Sequence, residues 1–167
     1  MSTLTLDAEA LYSEPLAGVR ALWRDDMALL GIWPGGAWLA ARLHADLGLP
    51  GKPGVISSAL HRDDFSARGM GHGTDATKIP FAVEGTHLML IDDVLYTGRT
   101  IRAVINELYD FGRPASVGLA VLVDRGGREL PIQPAFAAAK VALPAGQRLS
   151  LVRDAAGKLD FSLRGSD

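Results

Sequence analysis

The most informative part of the sequence is the stretch Leu88-Met89-Leu90-Ile91-Asp92-Asp93-Val94-Leu95-Tyr96-Thr97-Gly98-Arg99-Thr100. An apolar strand reaches two adjacent carboxylates, enters a small turn with hydroxyl groups, and leads into a helix. The N-terminus of a helix has backbone N–H groups without partners and a partial positive charge, so it binds phosphate readily. Gly98 lets the backbone come close to such a phosphate, and Thr97 and Thr100 add hydroxyl donors.

The two carboxylates need a different partner from the phosphate. Asp92 and Asp93 would repel a phosphate, but they accept hydrogen bonds from sugar hydroxyls and attract a hard cation. A sugar with a phosphate on one side and a diol on the other therefore fits the polarity of the stretch. The alternative is that Asp93 and Thr97 only cap the helix, as Asp and Thr often do.

Strands and helices alternate along the chain, which predicts an α/β fold with a mostly parallel sheet covered by helices on both faces. The N-terminal helix is expected to begin at Pro15, near a cap at Ser13 or Glu14, because proline breaks a helix interior. Strands are expected at residues 27–32, 54–60, 87–91, 117–123 and 140–143, helices at 36–47 and before Gly112-Arg113-Pro114, and a hairpin at about 148–164. Ligands of such sheets bind at the carboxyl ends of the strands.

The composition limits the classes of protein that the chain can represent. Its 167 residues suit a single domain spanning 1–167. The sequence contains no cysteine, which excludes disulfides, thiol catalysis and thiolate metal sites. The net charge of −2 gives no general indication of nucleic-acid binding. Without a basic and apolar leader or a run of ~20 apolar residues, we expect a cytoplasmic protein with no membrane partner.

A long polar segment interrupts the pattern after residue 62. Residues 63–78 are rich in glycine and show no periodicity, which predicts a flexible surface loop with a functional role. The two flanks of this loop could pair as a two-stranded arm.

The stretch from Asp92 to Thr100 resembles the motif that binds 5-phosphoribosyl-1-pyrophosphate (PRPP) in type I phosphoribosyltransferases. More specifically, it resembles the PyrR family of pyrimidine-operon regulators, which are bifunctional uracil phosphoribosyltransferases. The similarity covers roughly two thirds of the chain and extends through Arg62-Asp63-Asp64, Leu39-Ala40-x-Arg42-Leu43, Gly112-Arg113-Pro114, Leu119-Ala120-Val121-Leu122-Val123-Asp124-Arg125-Gly126 and Arg128-Glu129-Leu130-Pro131-Ile132.

The resemblance implies a type I phosphoribosyltransferase fold with a small hood made by the C-terminal strands. It also implies the reaction of uracil with PRPP to UMP and pyrophosphate, with Mg²⁺ held by the diphosphate and water rather than by protein ligands. Homodimers or higher homo-oligomers are usual in the family.

The resemblance also assigns roles to individual residues. Leu88 to Thr100 would bind PRPP, with Asp92 and Asp93 on the ribose hydroxyls as the catalytic pair and residues 96–100 on the 5-phosphate. The base would lie near Val123, Asp124 and Arg125. The loop that begins at Arg62-Asp63-Asp64 would close over the site as a lid and keep water from the oxocarbenium-like C1 centre.

The chain departs from the family in the loop that grips pyrophosphate. This loop usually has the pattern Gly-Ile-x-Thr-Arg-Gly, whereas the chain has Gly31-Ile32-Trp33-Pro34-Gly35-Gly36. The cation is missing, so a charge-assisted contact to the diphosphate is lost, while the backbone donors of Gly35 and Gly36 remain. Relatives commonly hold a cis peptide within this loop, and the resemblance therefore implies a cis Trp33–Pro34 bond, since cis costs only about 0.5–1 kcal/mol before proline. The alternative is a trans bond with Pro34 as an ordinary turn residue.

Two further departures concern RNA. Gly127 replaces a histidine that is common in the family, and the N-terminal segment Tyr12-Ser13-Glu14-Pro15-Leu16-Ala17 is not basic. Phosphate contacts dominate affinity for RNA, so weak RNA binding is expected. Two alternatives remain: an RNA-binding attenuator that senses UMP or PRPP with vestigial catalysis, and a purine phosphoribosyltransferase, since the motif does not encode the base.

Overall fold

The central sheet of the protein has five parallel strands. The computed structural model describes residues 6–57 and 77–165. In spatial order the strands are β2, β1, β3, β4 and β5. Their bounds are β1 Met27–Ile32, β2 Gly54–Ile56, β3 His87–Leu95, β4 Ser116–Asp124 and β5 Phe136–Lys140. A separate antiparallel hairpin, called the hood below, contains β6 Gln147–Arg153 and β7 Leu159–Gly165. The predicted α/β class, parallel sheet and C-terminal hairpin are confirmed.

In the described part of the chain, three helices cover the two faces of the sheet: α1 Ala8–Leu22, α2 Gly35–Asp46 and α3 Arg99–Leu108. Side chains alternate along β3, so that Met89 and Ile91 pack toward α1, α2 and the hood, while Leu88 and Leu90 pack toward α3. Both faces of the sheet are buried, which explains the nearly continuous apolar runs of its inner strands. Within the described residues, no helix has the length and apolarity that a bilayer crossing requires.

The hood is attached to the sheet by apolar packing and by two carboxylates. Leu149, Leu151 and Leu159 join the same apolar cluster as α1 and α2. The Leu151 backbone N–H donates to Asp93 Oδ2 at 3.0 Å, and the Leu159 N–H donates to Glu9 Oε1 at 2.8 Å. The hood is therefore held from two directions, by β3 and by α1.

Glu9 is also the centre of a cluster that joins α1 to α2. The Arg42 guanidinium lies 2.8 Å from Glu9 Oε2 and 4.0 Å from the centre of the Tyr12 ring. The Tyr12 hydroxyl donates to Asp46 at 2.7 Å. Hydrogen bonding from Arg42, followed by that from Leu159, lowers the pKa of Glu9 below its ordinary value.

The start of α1 differs from the prediction. The helix begins at Ala8 rather than at Pro15, and Asp7 caps it by accepting from the Ala10 N–H at 3.0 Å. Pro15 lies inside the helix and has no N–H to donate to the carbonyl one turn back. Burial of one face of the helix compensates for this loss, because its buried positions recur about once per turn: Ala8, Tyr12, Pro15 and Val19.

The predicted limits of two strands are also wrong. β3 continues past the acidic pair to Leu95, because Leu95 still pairs with Asp124 of β4. The last strand of the sheet is Phe136–Lys140 rather than residues 140–143. Its three alanines have little strand propensity, and tertiary contacts position it instead, since the Phe136 ring packs against Gly18 of α1.

Replacing Glu9 with Gln should weaken the attachment of the hood. A neutral amide accepts less strongly from Arg42 and from the Leu159 N–H, so we expect a loss of about 1–2 kcal/mol and a lower Tm by about 2–4 °C per kcal/mol. The pKa of Glu9 is lowered on folding, so its contribution is complete above its ordinary pKa of 4.5 and disappears as pH falls through the folded-state pKa. Thermal melts of wild type and Glu9→Gln should therefore differ at pH 7 and converge below pH 4.5.

Glu14→Gln is the matched control, because Glu14 is an exposed acid on the same helix. An equal loss of Tm in both variants, or a Glu9→Gln effect that is independent of pH, would contradict the role of Glu9.

Candidate active site

The loops that follow β1 and β3 meet at the carboxyl edge of the sheet. The chain runs from β1 to β2 on one side and from β3 to β4 on the other, so β1 and β3 flank the topological switch point. A Cβ atom on Gly36 would collide with the Ile91 carbonyl oxygen, and one on Gly35 would lie 2.6 Å from Asp93 Oδ2. The two glycines therefore allow the β1–α2 loop to pack directly on the acidic pair.

The β1–α2 loop contains the expected cis peptide. The Trp33–Pro34 bond is cis, which confirms the sequence prediction. Trp33 donates its N–H to the Ile56 carbonyl of β2 at 2.9 Å, and α2 starts at Gly35 with no acidic residue in its first turn. The loop thus directs the positive end of a helix toward the crevice.

The acidic pair, Asp92 and Asp93, lies on β3 inside this crevice. Asp92 is 7% exposed and accepts from the Asp93 N–H at 2.9 Å. Asp93 accepts from the Val94 N–H at 2.9 Å through Oδ1 and from the Leu151 N–H at 3.0 Å through Oδ2. Asp93 therefore binds the strand and the hood through these two bonds, and neither of them caps a helix.

The turn after β3 has the geometry of an anion site. Gly98 adopts φ 93° and is the N-cap of α3, and no acid is present in the first helical turn. Thr97 Oγ1 accepts from the Arg99 N–H at 3.2 Å, so its hydroxyl contacts the start of α3 from the residue before the N-cap. The Thr97 carbonyl accepts from the backbone N–H groups of Glu129 and Leu130 at 2.9 and 3.2 Å, and these two bonds hold the turn against the segment after β4.

Tyr96 is enclosed by the segment that follows β4. The Arg125 guanidinium carbon lies 3.9 Å from the centre of the Tyr96 ring, and a side chain at Gly127 would collide with the same ring. Arg125 is 6% exposed and donates to the carbonyls of Gln147 and Pro144 at 2.7 and 3.1 Å. The guanidinium of Arg125 thus links the turn to the segment leading into the hood.

The other two residues expected at the base are held differently. Val123 is fully buried in the core. Asp124 accepts from Arg128 at 2.7 Å and from the Gly126 N–H at 3.0 Å. The hydrogen bond from Arg128 is the main reason why the pKa of Asp124 is lowered. Both side chains are therefore engaged, and a base in this region would contact backbone groups.

The remaining residues of the stretch support the turn. Leu88, Met89, Leu90 and Ile91 are at most 4% exposed, and Leu95 is 2% exposed. Arg99 is exposed, and its Nε donates to Glu129 at 2.7 Å. Thr100 is partly exposed in the first turn of α3 and could still reach a ligand.

The proposed lid falls mostly outside the described residues. Arg62, Asp63 and Asp64 lie there, as do residues 58–76 in general. The two flanks come together, since Ser57 N–H donates to Thr77 Oγ1 at 3.0 Å and Val55 forms an antiparallel bridge with Lys78. The flanks therefore approach each other at one bridge, and the rest of the proposed two-stranded arm lies outside the described residues.

A second concave region was not predicted from the sequence. A cavity of about 430 Å³ lies beside the edge strand β5, and Arg128, Gln133 and Lys140 are among the residues that line it. Besides its bond to Asp124, Arg128 donates hydrogen bonds to the carbonyls of Ile132, Tyr96 and Gly126. Among the described residues, no group of three or more His, Asp or Glu side chains could hold a metal ion.

Comparisons with known proteins agree with this geometry. Residues 13–137 match the family model of the phosphoribosyl transferase domain. The chain is 48% identical over 161 residues to the bifunctional protein PyrR of Ralstonia nicotianae, covering 94% of this chain and 92% of that protein. It is 46% identical over 136 residues to the bifunctional protein PyrR of Nitrosococcus oceani, covering 78% and 77% of the two chains.

Solved structures support the same fold. HGPRT-ase from Leishmania tarentolae in complex with GMP gives a TM-score of 0.61 at 19% identity, over 94% of this chain and 86% of that one. The hypoxanthine phosphoribosyltransferase of Trypanosoma cruzi gives 0.60 at 16% identity, over 84% and 82%. The fold is therefore that of the type I phosphoribosyltransferases, and the chain belongs to the PyrR family of phosphoribosyltransferases.

Proposed function

We propose that the chain transfers the phosphoribosyl group of PRPP to uracil. In this reaction a bond forms between N1 of uracil and C1 of the ribose, the bond from C1 to the diphosphate oxygen breaks, and the N1 proton is lost. The products are UMP and pyrophosphate. The observation that supports this proposal most strongly is the meeting of three parts in one crevice: the acidic pair, the Gly35-Gly36 backbone and the turn at residues 96–100.

Each part of the crevice suits one part of PRPP. The start of α3 and the αL conformation of Gly98 favour the 5-phosphate, because unpaired N–H groups and the helix dipole attract anions. The carboxylates of Asp92 and Asp93 would accept from the ribose hydroxyls. The start of α2 at Gly35 would face the diphosphate.

The choice of uracil rests on the PyrR relatives. The base would lie beyond the end of β4, where the backbone turns through Asp124 and Arg125 toward the hood. Because both side chains are engaged, backbone N–H and carbonyl groups would recognise the uracil edge, and the base would be selected by shape and hydrogen bonding together.

Mg²⁺ would accompany PRPP rather than occupy a protein cage. Of the acidic residues that the structure describes, we assign Asp92 and Asp93 to the crevice, and both Asp93 oxygens already accept N–H groups. This donor set fits an ion held mainly by diphosphate oxygens and water, with Asp92 as the nearby carboxylate. When bound, the ion would neutralise charge on the leaving diphosphate.

RNA attenuation is the less favoured function. Arg125 is buried under Tyr96, and Arg128 uses its guanidinium within the protein, where it is bonded to Asp124. Two cations that a phosphate backbone would need are thus already neutralised or enclosed. Since phosphate contacts dominate RNA affinity, we propose that RNA binding is weak.

A pyrophosphate-release assay tests the proposed reaction. With PRPP, Mg²⁺ and one base at a time, uracil should give release, while hypoxanthine, guanine and orotate should give little. A site that hydrogen-bonds a particular base edge rejects bases that leave its polar groups unpaired.

Release with a purine instead of uracil would establish the purine alternative. If none of the four bases gives pyrophosphate release although PRPP binds, a sensor without turnover would be favoured.

Asparagine substitutions test the acidic pair. Asp92→Asn and Asp93→Asn should each lower kcat/KM for PRPP by about tenfold or more, because a neutral amide accepts more weakly from ribose hydroxyls. Asp93→Asn should also lower the Tm, because its amide group cannot accept both the Val94 and the Leu151 N–H.

Asp110→Asn is the matched control, since Asp110 is an exposed acid just after α3. Wild-type kcat/KM in both Asp92→Asn and Asp93→Asn would exclude the acidic pair from sugar binding.

A further inference from the structure

We infer that Arg153, the last residue of β6, supplies the cation that binds the diphosphate of PRPP. The inference rests on the proposed function and adds a residue to the site from outside the PRPP motif and the β1–α2 loop. It makes the hood part of the diphosphate site.

The position of Arg153 follows from the alternation of β6. Leu149 and Leu151 are buried against the sheet side of the hood, at 7% and 4% exposure. Arg153 is two residues further along the same strand, so its side chain leaves the same face at the end of the strand. The Leu151 N–H is bonded to Asp93, whose Oδ2 atom lies against Gly35. The inward face of β6 therefore leads past the acidic pair toward the β1–α2 loop.

The guanidinium of Arg153 lies over the beginning of α2. Its central carbon is 4.7 Å from the centre of the Trp38 ring, and Trp38 is in the first turn of the helix that begins at Gly35. Trp38 in turn contacts Trp33 of the loop edge to face, with ring centres 6.5 Å apart. Trp38 therefore stacks on the guanidinium and also contacts the β1–α2 loop through Trp33.

The charge of Arg153 is not neutralised within the described part of the chain. There, its guanidinium forms no hydrogen bond and no ion pair, whereas Arg42 is bonded to Glu9 and Arg128 to Asp124. The neighbouring Asp154 is engaged elsewhere, since its Oδ1 atom accepts from the Ala156 and Lys158 N–H groups. Stacking on an indole occupies the face of a guanidinium and leaves its N–H edge available to an anion.

A diphosphate at this loop needs a positive charge that the loop does not contain. In this loop Gly35 and Gly36 offer backbone N–H donors, whereas Pro34 has no N–H and the Trp33 N–H is bonded to the Ile56 carbonyl. The first turn of α2 has no charged residue. Guanidinium groups bind phosphate oxygens through charge-assisted, often bidentate hydrogen bonds. Arg153 has this chemistry in the neighbourhood where the diphosphate is proposed to bind.

Arg153→Gln tests the inference, with Arg148→Gln as a matched control. Arg148 is on the same strand and is exposed, but it lies on the alternate face. Isothermal titration should be carried out with pyrophosphate and with PRPP, each in the presence of Mg²⁺, and with UMP, which has no diphosphate. We expect Arg153→Gln to weaken binding of pyrophosphate and PRPP by roughly tenfold or more while UMP affinity stays within about twofold. Arg153→Lys should recover part of the loss.

The outcomes separate this inference from the proposed function. If wild type binds PRPP and UMP but Arg153→Gln binds pyrophosphate as tightly as wild type, the inference is wrong and the proposed function stands. Equal losses for UMP and pyrophosphate would also overturn it, because they would mean a general distortion of the site. If wild type binds neither PRPP nor UMP, the proposed function is wrong, and the inference that rests on it is wrong as well.

Discussion

The hydrogen bond from the Leu151 N–H to the Asp93 carboxylate joins the hood to the sheet at the centre of the proposed site. The same carboxylate also accepts from Val94 and lies against Gly35. One side chain thus contacts β3, the β1–α2 loop and the hood. A change in the proposed ribose site would therefore also affect the elements that are proposed to bind the diphosphate and the base. Because even a partly buried carboxylate is less stable without its donors, this arrangement favours one position of the hood.

Close approach of two backbones is the second constraint. The β1–α2 loop can pack on β3 only because Gly36 has no Cβ to meet the Ile91 carbonyl. The turn after β3 is fixed on its other side, where Gly127 gives room to the Tyr96 ring under Arg125. Small residues at these two contacts place the N-termini of α2 and α3 beside the acidic pair. Two helix dipoles and two carboxylates are the groups that we propose as neighbouring subsites for anions and for hydroxyl groups.

The sequence alone predicted the local features and missed the long-range ones. The acidic pair, the turn at Gly98 and the cis Trp33–Pro34 bond depend on neighbouring residues, so a short motif was enough to predict them. The contact between Asp93 and Leu151 joins residues 58 positions apart in the sequence, and no local sequence pattern predicts it. The beginning of α1 before Pro15 and the alanine-rich strand β5 were missed for the same reason, because packing outweighs propensity there.

The central claim is that the 5-phosphate binds at the turn before α3 while the ribose lies on the acidic pair. A crystal structure of the chain with UMP tests this directly. The account predicts phosphate oxygens at about 2.7–3.2 Å from backbone N–H groups of residues 98–100. It also predicts ribose hydroxyls at similar distances from the carboxylates of Asp92 and Asp93. A UMP phosphate bound instead in the cavity beside β5, near Arg128 and Lys140, would contradict the account.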